Sequence, residues 1–198
     1  MTILAWVAVG VIVITSVGLL ISRDWRTSII FLAVQYLAMF ILLLTHLPLG
    51  MATAKVVAGW MSSAILGMTR SGLPDEDTDE ESIWPRGRLF RLFAAGIVGI
   101  LVVGATPIVN NIMANAGTAV TAASLLLIGM GLLHLGLTSQ VLRVTLGLMT
   151  VLAGFEIVYA AVEGSVLVAA LLAVINLGLA LVGSYLMIAS AAKGTESV

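Results

Sequence analysis

Polar residues fall in short clusters along this chain, and the stretches between the clusters are apolar for about twenty residues at a time. Seven such runs lie at about 3–22, 28–46, 51–69, 92–113, 119–137, 143–162 and 166–189. Each matches the roughly 20 mostly apolar residues that a bilayer-spanning helix requires. The breaks between runs carry turn chemistry: Ser22-Arg23-Asp24, then the breakers Pro48 and Gly50, then Asn115-Ala116-Gly117-Thr118, and Glu163-Gly164-Ser165. The pattern predicts an all-α polytopic membrane protein with about seven transmembrane helices. Three helices occupy 1–68, a loop of mixed charge 69–91, a fourth helix 92–113, a three-helix region 114–190 and a polar tail 191–198.

Composition agrees with the pattern. Of the 198 residues, 61% are hydrophobic and 10% charged, against about 45–50% and 25% in a soluble domain. The lipid bilayer is therefore the expected solvent. A net charge of −1 with no basic patch argues against nucleic acid as a partner. The chain has no cysteine and two histidines, so thiolate chemistry is excluded and neither a metal nor a cofactor is expected. No basic segment precedes the first apolar run, so it reads as a retained span rather than a signal peptide.

The charges that remain are arranged asymmetrically. Arg23 and Arg26 follow the first span, Arg70, Arg86, Arg88 and Arg91 flank the loop after the third, Arg143 follows the fifth and Lys193 the seventh. With seven spans, all of these fall on one side. The positive-inside rule then expects the amino terminus outside and the carboxyl terminus in the cytoplasm, in a plasma or inner membrane. The long loop holds six carboxylates between Asp75 and Glu81. It reads either as a solvated connector or as a docking loop for another subunit. It lacks the spacing and turn glycine of a calcium loop.

Ionisable groups inside the spans carry the functional information, because a charge near the bilayer centre costs at least about 2.5–3.5 kcal/mol. Glu156 lies about six residues from the outer end of the sixth span, roughly 9 Å deep. It must be protonated, paired or facing a hydrated cavity. Its roles are a proton path or a structural clamp between helices. Tyr159, three residues on, shares its helical face and is a candidate hydrogen-bond partner. Lys55 sits about five residues into the third span. It either snorkels to the headgroups or joins a buried polar axis, and a Lys55–Glu156 pair is open because both lie in the outer half. Asn176, midway along the seventh span, is helix glue or part of a water chain. Gln35 and Tyr36 carry the same ambiguity in the second span. His134, near the cytoplasmic end of the fifth, is interfacial or a relay element. His46, at a helix end, is assigned no role. Gly178 and Gly183 offer small-residue packing faces.

The stretch LRVTLGLMTVLAGFEIVYAAVEGSVLVAALLAVINLGLALVGSYL, with the helix before it, resembles the small K subunit (chain 4L) of complex I, NADH-quinone oxidoreductase. The C subunit of Mrp-type cation/proton antiporters is similar. That family has three helices entering from the outside, the orientation that the charges suggest here. The resemblance covers about residues 119–189 and implies that Glu156 takes the place of a membrane-embedded glutamate in a proton-translocating charged axis. The family's further glutamate in the third helix is replaced here by Asn176, which cannot titrate. The size of the chain is similar to that of the E subunit of group 4 membrane-bound hydrogenases, and LAVQYLAMFILL faintly resembles the complex I J subunit.

The resemblance implies a small membrane-arm subunit of a complex I-like or Mrp/hydrogenase-like assembly. Its partners would be antiporter-like membrane subunits. Glu156, Lys55, Tyr159, Asn176 and His134 would form the candidate proton path, and the chain itself would be a non-catalytic subunit. A stand-alone small transporter and a purely structural membrane subunit are the alternatives.

Overall fold

In the computed structural model, residues 2–73, 87–113 and 116–196 are described, and every regular element among them is a helix. The order is α1 (Thr2–Ile21), α2 (Trp25–Leu43), α3 (Leu49–Ser71), α4 (Arg88–Ile112), α5 (Thr118–Gly136), α6 (Val141–Val162) and α7 (Val166–Glu196). All seven are long and apolar enough to cross a membrane. The acidic run Asp75–Glu81 and Arg86 lie outside the described residues. Several helices exceed their expected bounds, α3 and α6 among them. The helix α4 begins at Arg88 rather than at 92, taking Arg88 and Arg91 into its first turn, and α7 continues to Glu196, past 189.

The helix ends follow local chemistry. Asp24 caps α2, its carboxylate accepting from the Arg26 amide at 3.2 Å, the Thr27 amide at 3.3 Å and the Thr27 hydroxyl at 2.9 Å. Pro48 stands at the N-cap of α3, where its missing N–H is no loss. Gly117 precedes α5 with a φ of +79°, a left-handed conformation that favours glycine. Arg91 reaches from α4 to the Leu20 carbonyl in the last turn of α1 at 3.1 Å, satisfying a group the helix itself leaves open.

Packing arranges the helices as two four-membered rings that share a wall. One ring runs α2–α3–α7–α6, each helix packing on the next and α6 closing on α2. The other runs α1–α2–α6–α5, so α2 and α6 belong to both. The helix α4 lies outside the rings, against α5 and α1. Burial follows: 61% of the α6 span is buried and only 6% of the α4 span. The outer face of α4, including Ile100, Val103 and Ile108, is therefore turned to lipid. Small residues permit the close approaches. A methyl added at Gly154 would stand 2.8 Å from the Ser124 carbonyl oxygen, and one at Gly131 2.6 Å from the Val151 side chain, so α5 and α6 meet nearly backbone to backbone. Gly183 likewise seats Thr145 of α6 on α7, whereas Gly178 faces open space.

Candidate functional site

The α2–α3–α7–α6 ring has two diagonals, and a polar bond spans each. On the first, Lys55 of α3 meets Glu156 of α6, Nζ to Oε1 at 2.7 Å, with side-chain exposures of 5% and 1%. On the second, the Tyr36 hydroxyl of α2 donates to Asn176 Oδ1 of α7 at 2.9 Å, again fully buried. Neither α3 with α6 nor α2 with α7 packs as a pair along its length. These side chains therefore cross the interior of the ring rather than stitch adjacent walls.

The four residues share a depth because their helices alternate in direction. Lys55 is six residues from the start of α3 and Glu156 six from the end of α6, about 9 Å in each case at 1.5 Å per residue. Tyr36 and Asn176 lie seven and ten residues from the same end of their helices, about 10 and 15 Å. Tyr36 and Glu156 also interact electrostatically, so the two diagonals form one cluster. Gly59 makes room for it: a Cβ there would lie 2.5 Å from the Tyr36 ring, so the ring packs flat against α3 one turn beyond Lys55. Trp60 Nε1 fixes α3 against α2 by donating to the Ala33 carbonyl at 3.1 Å.

Further polar atoms on α2, α3 and α6 are buried. Glu156 Oε2 is buried with no hydrogen-bond partner among the described residues, and so are both side-chain polar atoms of Gln35 and the Ser62 hydroxyl. Ser63 bonds back to the Gly59 carbonyl at 2.9 Å. A buried acceptor without a partner is costly. The Lys55–Glu156 bond is short and charge-assisted. Chemically, this is a charge-compensated pair with one carboxylate oxygen left without a partner among the described residues.

The structure brings together three of the five residues picked out in the sequence: Glu156, Lys55 and Asn176. Lys55 does not snorkel; it is buried and turned inward to Glu156. Tyr159 is half-buried on α6, with its hydroxyl buried. Its hydroxyl makes no hydrogen bond to Glu156, because the carboxylate is drawn across the ring to Lys55. The phenol that joins the cluster is Tyr36, whose place halfway along α2 marked it only as polar. His134 lies apart, two residues from the end of α5 at the opposite side of the bilayer. It is buried beside Gly147 and within electrostatic range of Arg143 and Arg91, with Nε2 lacking a partner. Among the described residues no three His, Cys, Asp or Glu side chains gather. No protein-family model, no curated protein and no solved structure matches the chain.

Proposed function

We propose that this chain is a small membrane-arm subunit of a complex I-like or Mrp/hydrogenase-like respiratory assembly in the plasma or inner membrane, with Glu156 as an intramembrane proton-handling group. One observation carries the reading: a lysine and a glutamate, both buried in the bilayer half of a helix ring, bonded to each other with one carboxylate oxygen left over. Ionisable groups are expensive in a membrane and mark ion or proton pathways by default. Lys55 compensates the carboxylate, and the Tyr36–Asn176 bond extends the polar cluster across the ring. The exposed apolar faces of α4 and α7 offer surface for lipid and for antiporter-like neighbours.

A second reading has a specific observation in its favour. A 2.7 Å bond between two ions also describes a static clamp that fixes α3 relative to α6. The membrane assembly isolated with this chain and reconstituted into proteoliposomes separates the two. Glu156→Gln keeps a hydrogen-bonding side chain of the same size. The proton reading expects an intact assembly whose proton uptake falls at least about a hundredfold. Unchanged uptake sinks it. The charge-exchanged variant Lys55→Glu/Glu156→Lys restores a clamp but puts the carboxylate on the wrong helix, so recovery of full uptake by the exchange favours the clamp.

A further inference from the structure

The carboxylate oxygen left over at Glu156 has a complementary atom on its own helix. Glu156 Oε2 is a buried acceptor without a partner among the described residues, and the Tyr159 hydroxyl, three residues on, is a buried donor without one. Residues three apart lie on one face of a helix. Long helical side chains lean toward the N-terminus, so the Tyr159 phenol covers the turn that carries Glu156. Tyr159 is half-buried while its oxygen is enclosed, so the hydroxyl points into the protein.

Glu163 continues the line. It is exposed at the end of α6, four residues beyond Tyr159 and seven beyond Glu156. Its amide donates to the Tyr159 carbonyl at 2.8 Å, so the helical register holds as far as this residue. Seven residues make nearly two full turns, which sets Glu163 above Glu156 with Tyr159 between them. Glu156 lies about 9 Å from the helix end and Tyr159 about 4.5 Å, so each step is about one turn. Toward the other end of the ring the same faces turn apolar. Met149, seven residues before Glu156, Ala180, four after Asn176, and Leu32, four before Tyr36, are fully buried. On α3, Ser62 is followed four residues on by Leu66, which is also fully buried.

We propose that Tyr159 and Glu163 form the proton route between Glu156 and the membrane surface at the α6–α7 turn, an inference that rests on the reading of Glu156 as a proton-handling group. Rotation of the Glu156 or Tyr159 side chain brings Oε2 to the hydroxyl. The Tyr159 O–H bond breaks as its proton passes to Oε2, and a new O–H bond forms on the phenol oxygen with the proton of the Glu163 carboxyl. The phenol stays neutral, the net transfer is one proton from Glu163 to Glu156, and water at the surface reprotonates Glu163. Release runs through the same bonds in reverse.

Proton uptake by the isolated assembly in proteoliposomes tests the route, with Glu156→Gln as the reference. Tyr159→Phe removes one oxygen and keeps the ring, and uptake is expected to fall about tenfold with the assembly intact. Glu163→Gln is expected to slow uptake about tenfold as well, and imidazole, a small soluble proton carrier, is expected to restore it. A merely structural Glu163 would not respond to imidazole. If Tyr159→Phe fails to assemble, Glu163→Gln with and without imidazole decides, because that side chain is exposed. Parent-like uptake in either variant, beside a loss in Glu156→Gln, overturns the route and leaves the proton reading standing. A loss in Glu163→Gln that imidazole does not restore overturns the route too. Unchanged uptake in Glu156→Gln overturns the proton reading and the route with it.

Discussion

Lys55 and Glu156 are each other's reason for being tolerated. A buried ion left alone is much more expensive than a buried pair, and removing one partner typically costs about 3–5 kcal/mol. Lys55→Met is therefore expected to destabilise the protein by about that amount, while Lys55→Met/Glu156→Leu recovers most of the loss. Unfolding in mixed micelles of rising SDS content measures both; additive losses would show that the two side chains are not coupled. The similar depth of the two residues was readable from the sequence, since Lys55 lies about five residues and Glu156 about six from the expected outer ends of their spans. Their contact was not readable, because α3 and α6 stand on a diagonal and leave no mutual packing signature. For the same reason Tyr159 looked like the partner of Glu156. Periodicity reveals the face of one helix and is blind to Tyr36, which arrives from another.

The helices themselves were legible nearly in full, because twenty apolar residues between turn clusters leave few alternatives to a span. Their ends were less so. Arg88 and Arg91 read as loop charges, yet long stems let arginines occupy a helical turn while their heads find polar partners, as Arg91 does at the Leu20 carbonyl. The cap of α2 gives an element-scale prediction. The hydroxyl of Thr27, followed by the Arg26 and Thr27 amides, holds the Asp24 carboxyl below its ordinary value of 3.8. A lowered folded-state value means that this stabilisation is present at pH above 3.8 and is lost as pH falls through the lower, folded-state value. Asp24→Ala is expected to cost about 1 kcal/mol at neutral pH. The variant and the parent should converge in acid. Amide hydrogen exchange in the first turn of α2, followed against pH, checks both; a difference that persists undiminished at the acid end would contradict the capping account.

For the whole molecule, the arginines gather at one end of the bundle and the Lys55–Glu156 cluster lies near the other. By the positive-inside rule the arginine end is expected in the cytoplasm. The chain has no cysteine, so single cysteines can be introduced without background. A membrane-impermeant maleimide applied to intact cells is expected to label Gly164→Cys and to leave Ser22→Cys unlabelled until the membrane is opened. The opposite pattern would invert the topology and move the ion pair to the cytoplasmic half.

The diagonal placement of the ion pair also has a consequence in time. Helices that pack along their lengths can part only by moving as bodies, which takes microseconds to milliseconds. Lys55 and Glu156 bridge helices that do not pack on each other, while α2 and α7 hold the ring closed beside them. Their bond can open by rotation of two side chains, with every wall of the ring still in place. The opening of this bond is therefore expected to follow side-chain rotamers and not movement of the scaffold.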